Sequence, residues 1–477
     1  MKICILAEGS YPYVFGGVSK WVSQLIEEMP EVEFIVLSIM PSKHEDKEYK
    51  YELPKNVTEV RTIYLQGYKD LNPHPKKREP KLSVDEINNL KKFIRFDQST
   101  DWEMVTDSIC NEKKLGNPIE FLHSRLFWNL LLAYYNEICP EEGFNQFFWT
   151  IRSMFLFFLT VMQSQLPEAD LYHAVSTGYP GLLGLIATRK YNKPFILTEH
   201  GIYAREREED ILKADWVQGI YKKMWINFFY FIASGAYDVS SKVMSLFGRS
   251  RDIQLSLGSR PEDTHVIPNG LNLKDIDVKA RKHTTLNLGA ILRIVPIKDV
   301  KTMIRSFLLV KKKIKNTKLY LIGPYDEDKN YYKECTELVS DLGLEQEVVF
   351  TGRVDIKEYL PIIDILLLTS ISEGQPLVIL EGNAFKIPFV STDVGACYEM
   401  LNGTAGDTFG PSGLIVPPVS PKETSEAIIK LLEDEPLRKK MGESGKKRVL
   451  KYYKQSDLIK KYYDIYSDHI KESSWPE

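Results

Sequence analysis

The stretch Ile365–Gly382, ILLLTSISEGQPLVILEG, combines an apolar run, a polar turn that contains glycine, and a second apolar segment. The apolar run is typical of a strand that is buried on both faces of a parallel sheet. Pro376 predicts the first residue of a following helix, a position that proline favours. Ligands bind outside the carboxyl ends of the strands in open α/β sheets, so this turn is a predicted binding site.

The groups in this turn suit a phosphorylated sugar. The start of the predicted helix, around Gly374, Pro376 and Leu377, presents backbone N–H groups and a positive dipole end to an anion. Glu373 before the helix and Glu381 within it can each accept hydrogen bonds from sugar or ribose hydroxyls. The alternative is an ordinary strand–turn–helix unit with surface glutamates.

A second predicted strand, earlier in the chain, leads into a loop with two cations. The stretch Leu288–Asp299, LGAILRIVPIKD, places Arg293 and Lys298 after the strand. Arginine offers a planar fork of donors and lysine a point charge, a pair that suits a diphosphate. Two solvated surface cations are the alternative.

The first half of the chain opens with another strand, turn and helix. The strand Lys2–Leu6 is followed by a turn that ends in Gly16 and Gly17, and apolar residues then recur at helical spacing from Val18 to Met29. Two glycines let the backbone approach a ligand closely, although a plain tight turn is the alternative. The dinucleotide fingerprint G-x-G-x-x-G is absent from this turn.

His200 follows a predicted strand of the first half, Pro194–Thr198. It is therefore expected at the edge of the sheet where ligands bind. A structural role for this lone histidine stays open beside a role in ligand binding.

Strands alternate with helices through most of the chain, which favours an α/β fold with two Rossmann-like, doubly wound parallel-sheet domains. The first domain is predicted over residues 1–278, with a helical insertion at about 66–165. Asp275–Thr284 is charged and indicates a linker. The second domain is predicted over 279–455, and residues 456–477 as a helix that packs back across the domains.

Composition limits the classes of function. The chain has 477 residues, a net charge of −3 and five scattered cysteines without a CxxC pair. A nucleic-acid partner is disfavoured because no basic excess exists, and neither a zinc ribbon nor a redox dithiol is expected. The longest apolar runs, Phe147–Met162 and Met224–Tyr237, are short for a membrane span and predict buried helices. Asp275-Ile276-Asp277 resembles a metal-binding D-x-D, but it lies in the linker, and no metal site is predicted.

The ordered set of motifs resembles the retaining glycosyltransferases of family four, which have the GT-B fold. Glu373 and Glu381 match the Glu-x7-Glu motif of that family, and Arg293 and Lys298 match its diphosphate-binding cations. Further matches are Val266–Gly270, Phe350–Val354, Ser391–Gly395 and Glu399. In the family, the loop equivalent to Gly352, Arg353 and Val354 lies near the nucleobase.

The first half is similar to the PelF-type subfamily, which acts in Pel exopolysaccharide biosynthesis, in its large insertion and in the stretches Ala7–Val14, Gly16–Ser19 and Leu197–Gly201. The resemblance implies a UDP-sugar donor without a metal or other cofactor, a polysaccharide acceptor, and a cytoplasmic enzyme associated with an inner-membrane synthase complex. In the mechanism that we expect, Glu373, Lys298, Arg293 and His200 take part in catalysis, with His200 as the candidate for contacting the donor sugar. Leu292 and Asp299 stand where the broad family usually has glycine, and both agree with the subfamily.

Three alternative functions can be compared with these motifs. A UDP-sugar epimerase can share the two-domain fold, but it needs acid and base residues around the sugar. A non-catalytic nucleotide-sugar-binding subunit of a membrane complex would not need the intact set of charged residues. A nicotinamide-dependent oxidoreductase is disfavoured because the glycine fingerprint is missing.

Overall fold

The computed structural model describes residues 1–43, 48–75, 78–273 and 284–473, which form two compact units. The first unit contains Met1–Ser245, Ser250–Val266 and the last helix from Ile459 onward. The second unit contains Leu246–Arg249 and Ile267–Leu458. Most of the predicted linker, including Asp275-Ile276-Asp277, lies outside the described residues.

The core of the first unit is a sheet of seven parallel strands. The strands are β1 (Lys2–Glu8), β2 (Glu33–Met40), β3 (Val57–Tyr64), β4 (Leu171–Ala174), β5 (Phe195–Glu199), β6 (Lys242–Ser245) and β7 (Thr264–Val266). Their order in the sheet is β3-β2-β1-β4-β5-β6-β7. The apolar runs of the central strands are buried on both faces, as expected for a parallel sheet covered by helices.

Helices separate most of these strands in the chain. They are α1 (Gly17–Glu27), α2 (Val84–Ile94), α3 (Trp102–Ile109), α4 (Glu112–Leu115), α5 (Pro118–Leu122), α6 (Arg125–Ile138), α7 (Phe144–Met162), α8 (Gly178–Tyr191), α9 (Tyr203–Lys213), α10 (Ile220–Val239) and α11 (Gly248–Ser256). Helices α2 to α7 lie between β3 and β4 and form the predicted helical insertion. Its aromatic side chains pack on α10: the ring of Phe93 lies 5.5 Å from Phe231, and Trp102 stacks on Phe231 at 4.8 Å.

The second unit has a six-stranded parallel sheet of its own. Its strands are β8 (Leu286–Ile291), β9 (Thr317–Ile322), β10 (Val348–Gly352), β11 (Ile365–Leu368), β12 (Phe389–Thr392) and β13 (Gly413–Val416), in the order β10-β9-β8-β11-β12-β13. The helices are α12 (Val300–Lys313), α13 (Lys329–Asp341), α14 (Ile356–Tyr359), α15 (Leu377–Ala384), α16 (Cys397–Asn402), α17 (Pro421–Glu433), α18 (Glu435–Tyr452) and α19 (Gln455–Ser473), whose later part belongs to the first unit.

The prediction of two Rossmann-like parallel sheets with a helical insertion in the first is confirmed. Strands β3 and β7 were not predicted, because the edge strand β3 is only partly buried and β7 has three residues. The sequence also predicts a strand over Val239–Leu246, and its start is wrong, since Val239 is the last residue of α10 and β6 begins at Lys242. Within the described ranges, no helix is both long and apolar enough to cross a membrane.

Candidate active site

Two loops of the second unit lie side by side because their strands, β8 and β11, are neighbours in the sheet. Thr369 Oγ1 donates a hydrogen bond to the carbonyl of Lys298 at 3.1 Å. The N–H of Ile371 donates to the carbonyl of Ile297 at 2.9 Å. These two bonds hold the loop that carries Lys298 against the turn that carries Glu373.

Lys298 and Glu373 form an ion pair in this position. Lys298 Nζ lies 2.5 Å from Glu373 Oε1, and the hydroxyl of Ser370 donates to the same carboxylate oxygen at 2.5 Å. The two side chains are 21% and 12% exposed, so the pair is partly shielded from water. Electrostatic interactions are stronger in such a shielded position than on an open surface. The structure thus brings together two of the residues predicted to be catalytic.

The backbone at Asp299 explains why many relatives of the broad family have glycine at this position. Its φ angle is 45°, in the left-handed region that glycine occupies without cost. The side chain offsets part of the strain, because Asp299 is the N-cap of α12 and its Oδ1 accepts from the N–H of Thr302 at 3.2 Å. Aspartate is among the residues that tolerate this conformation best.

The turn after β11 leads into α15 as predicted, with a shift of one residue. The expectation that Pro376 is the first helical residue is wrong: Pro376 is the N-cap, and Leu377 begins the helix. No side chain among the described residues caps this helix, which leaves amide N–H groups of its first turn for an anion. Gly374 lies in the turn, and Glu381 lies in the second turn of the helix, partly buried.

The turn after β12, around Gly395, packs against the turn that contains Glu373 and Gly374. Gly395 has a φ angle of 52°, and a Cβ there would lie 2.2 Å from the carbonyl oxygen of Glu373 and 2.3 Å from that of Gly374. The N–H of Ala396 donates to the carbonyl of Gly374 at 2.9 Å. Only glycine fits this close approach, so Gly395 allows the peptide between Glu373 and Gly374 to pack directly on the turn after β12.

Gln375 was not singled out in the sequence. Its side chain accepts from the N–H of Asn269 at 2.6 Å and donates to the carbonyl of Asn269 at 3.2 Å. This buried amide therefore holds the segment around Asn269 on the turn. A glutamine between glycine and proline carries no signal for such a distant partner.

Arg293 is placed differently from Lys298. Its guanidinium lies 2.6 Å from both carboxylate oxygens of Glu327, and both side chains are about half exposed. Glu327 also lines a cavity of about 610 Å³ together with Val295, Pro296 and Asp326–Asn330. The arginine is thus paired with a carboxylate, and its predicted contact with a diphosphate stays a prediction. Glu327 lies 34 positions away in the sequence, and nothing local pointed to it.

The loop Gly352-Arg353-Val354 follows β10. Gly352 has a φ angle of 70°, and its carbonyl accepts from the N–H of Gly323 at 3.1 Å. A Cβ at Gly352 would lie 3.3 Å from the ring of Tyr325, so the glycine permits this approach. Arg353 is exposed and Val354 is partly buried. This loop belongs to the same carboxyl edge of the sheet as Lys298 and Glu373.

In the first unit, His200 follows β5 at the carboxyl edge of the sheet. Its ring lies edge-on to Trp21, with the ring centres 4.7 Å apart. His200 Nε2 is buried and has no hydrogen-bond partner among the described residues. Burial lowers the pKa of His200 to about 4, so the ring is neutral at neutral pH. An unpaired buried nitrogen is costly unless a ligand completes it.

Gly16 and Gly17 stand at the start of α1, the helix that carries Trp21. Gly16 is its N-cap, and the N–H of Gly16 donates to the hydroxyl of Tyr51 at 3.5 Å. The backbone of Gly16 is extended, with a φ angle of 176°, and a Cβ on either glycine would meet open space. The two glycines therefore carry no side chain that would cover the helix N-terminus, and their contact with a ligand stays a prediction.

Comparison with known proteins supports these units separately. Residues 1–262 match the family described as "Domain of unknown function (DUF3492)", and residues 274–448 match "Glycosyl transferases group 1". The N-acetyl-alpha-D-glucosaminyl L-malate synthase of Bacillus anthracis is 28% identical over 37% of this chain and 44% of its own length. The capsular polysaccharide biosynthesis glycosyltransferase CapM of Staphylococcus aureus is 29% identical over 43% and 54%. The chain thus spans about half the length of these two relatives.

Solved structures agree over nearly the whole chain. Anabaena Alr3699/HepE, crystallised in complex with UDP, has a TM-score of 0.63 at 16% identity and covers 98% of this chain and 100% of its own. The sucrose-phosphate synthase of Thermosynechococcus elongatus has a TM-score of 0.60 at 15% identity, with 98% of each chain covered. At this identity the likeness concerns the fold, and the predicted GT-B fold is confirmed. The chain belongs to the DUF3492 family, and its second unit carries a glycosyl transferases group 1 domain.

Proposed function

We propose that this protein is a metal-independent, retaining glycosyltransferase that transfers a hexose or N-acetylhexosamine from a UDP-sugar to a growing exopolysaccharide. The observation that carries the proposal is the Lys298–Glu373 pair beside the uncapped start of α15. It combines a cation and free N–H groups for a diphosphate with a carboxylate for sugar hydroxyls. The group 1 match over residues 274–448 and the complex of Alr3699/HepE with UDP support the same class of donor.

The proposed chemistry is the departure of UDP and attack by an acceptor hydroxyl on the same face. The bond between the anomeric carbon and the phosphate oxygen breaks, a bond to the acceptor oxygen forms, and the acceptor proton passes to the departing phosphate. Lys298, Arg293 and the first amides of α15 stabilise the negative charge that grows on the diphosphate. These groups perform the task for which other enzymes use a metal ion.

The remaining residues have binding roles in this proposal. Glu381 accepts hydrogen bonds from the ribose, and Glu373 accepts them from the donor sugar and stabilises positive charge at the anomeric carbon. His200 contacts the donor sugar through the buried nitrogen that lacks a partner among the described residues. The loop Gly352–Val354 lies near the nucleobase, and Gly16 and Gly17 allow the backbone to approach the donor.

The cellular role proposed is synthesis of a Pel-like exopolysaccharide, a biofilm component, by a cytoplasmic enzyme that associates with an inner-membrane synthase complex. Support comes from the resemblance of the first half of the chain to the PelF-type subfamily. CapM, a capsular polysaccharide enzyme by name, is among the relatives.

Calorimetric titration with UDP, GDP, ADP and NAD in the presence of EDTA tests the donor. We expect that, of these four ligands, only UDP binds. A screen of UDP-sugars with product analysis then identifies the donor sugar and the anomer formed. Binding of GDP or ADP instead would retain the transferase and discard the Pel-like role. Conversion of the donor sugar without an acceptor would indicate an epimerase. A folded protein that binds none of the four ligands would contradict the proposal.

A further inference from the structure

A chain of buried hydrogen bonds joins the last helix to the sheet of the first unit. The hydroxyl of Tyr466 lies 2.7 Å from His173 Nδ1, and His173 Nε2 lies 2.8 Å from Thr198 Oγ1. Thr198 Oγ1 in turn lies 3.2 Å from the hydroxyl of Tyr462. All four side chains are buried. Burial lowers the pKa of His173 to about 3, so its neutral ring has one donor and one acceptor, and both are used.

This series of hydrogen bonds includes Thr198, which lies two residues before His200 in the sequence. Thr198 is followed by Glu199, a buried carboxylate that receives hydrogen bonds from Tyr237, Gln254, Thr177 and the N–H of Tyr203. Burial raises the pKa of Glu199 although these donors oppose the shift. Both residues that precede His200 are thus held by several bonds, whereas His200 Nε2 lacks a partner among the described residues. Such a contrast points to a ring held in place for a ligand.

Trp21 connects the same helix to the ring of His200. The ring centre of Trp21 lies 4.7 Å from that of His200, 5.3 Å from Tyr462 and 5.9 Å from His173, all edge-on. Trp21 itself is buried. Close-packed interiors transmit displacements. A shift of Tyr462 would therefore move the Trp21 ring, and the Trp21 ring contacts the ring of His200.

We propose that Tyr466 and Tyr462 are positioning residues that hold His200, through His173, Thr198 and Trp21, in the orientation that presents Nε2 to a hydroxyl of the donor sugar. This inference rests on the proposed function. It gives the last helix a part in the reaction, since the helix supports the ring that contacts the sugar. Neither tyrosine touches the substrate.

The test is Tyr466→Phe in the full chain, because it removes one hydroxyl and keeps the ring. Tyr172→Phe is the matched control: Tyr172 is also buried, neighbours His173, and donates to the carbonyl of Pro167 at 2.6 Å. Three quantities are measured for each: the kcat and KM of transfer or donor hydrolysis, the affinity for UDP, and the ring NMR signals of His200 at fixed pH. The His200 signals are assigned with His200→Gln.

We expect Tyr466→Phe to lower kcat by about threefold, a loss no larger than that from removal of the His200 ring itself, with UDP affinity within about twofold, because misplaced contact groups act on the reaction rather than on the nucleotide. The His200 ring signals shift in this variant and stay unchanged in Tyr172→Phe. If Tyr466→Phe does not fold, Tyr462→Phe removes the other hydroxyl and keeps the ring against Trp21.

Unchanged kcat and unchanged His200 signals in Tyr466→Phe would overturn the inference. Equal losses of kcat in Tyr466→Phe and Tyr172→Phe would also overturn it, because they indicate general destabilisation. A wild-type protein that transfers no sugar would refute the proposed function instead. The His200 signals would still show whether the tyrosines orient the ring.

Discussion

Replacement of Lys298 by alanine removes the cation that the proposed mechanism uses most directly. A unit charge about 4 Å from a growing phosphate charge is worth about 4 kcal/mol at the effective dielectric constant of about 20 for partly buried sites. Lys298 is 21% exposed and is partly neutralised by Glu373, so the net effect is smaller. Loss of one such electrostatic group typically costs about 10²–10³ in rate. We therefore expect kcat/KM to fall about 10²-fold or more.

The assay is release of UDP from the donor under steady-state conditions, with the affinity for UDP measured separately. Lys301→Ala is the matched control. Lys301 lies three residues after Lys298 and also forms an ion pair, with Glu334 at 2.6 Å. It removes a cation of similar exposure from the same region. A folded Lys298→Ala protein whose kcat/KM stays within about twofold of wild type would remove Lys298 from the mechanism. An equal loss in Lys301→Ala would attribute the effect to overall charge.

Three further predictions concern other parts of the molecule. Glu381→Ala should weaken UDP binding by about 10–100-fold, because a hydrogen bond to a charged group is worth about 1.5–3 kcal/mol, and unchanged calorimetric affinity would contradict the ribose role. His200→Ala should lower kcat by about three- to tenfold with unchanged UDP affinity, whereas weaker UDP binding would place His200 at the nucleotide. Asp407→Asn should lower the free energy of unfolding by about 3 kcal/mol or more in urea titrations, because Arg448, 1% exposed like Asp407, would lose its buried partner. Burial alone would raise the pKa of Asp407, but the Arg448 guanidinium and the N–H of Phe409 lower it. The stabilisation is therefore present above the unfolded-state pKa of this carboxyl and is lost as the pH falls, so a pH-independent effect of the substitution would refute this explanation.

Much of the candidate site in the second unit could be predicted from local sequence. The apolar run of β11, the glycine turn and Pro376 define a strand, a turn and a helix start within 18 residues. Because all strands are parallel, their carboxyl ends meet at one edge, so Lys298 and Glu373 could be expected near each other. The strands that escaped prediction, β3 and β7, lie at the edges of the sheet and lack a continuous buried run.

Side-chain partners that are distant in sequence could not be predicted. The pairing of Arg293 with Glu327 depends on the loop that follows β9, a neighbour of β8 in the sheet. The contact of Trp21 with Tyr462 joins the first helix to the last. Apolar periodicity describes which face of an element is buried, but it does not describe what that face meets.

The sequence alone therefore determined the class of fold, the position of the strand ends and the residue types that suit a nucleotide sugar, because these depend on short-range periodicity and turn chemistry. Only the tertiary structure decided that Glu373 forms an ion pair with Lys298, that Glu327 forms one with Arg293, and that His200 Nε2 has no hydrogen-bond partner among the described residues. Such pairings arise from strand order and helix packing, which bring together side chains that no local pattern relates.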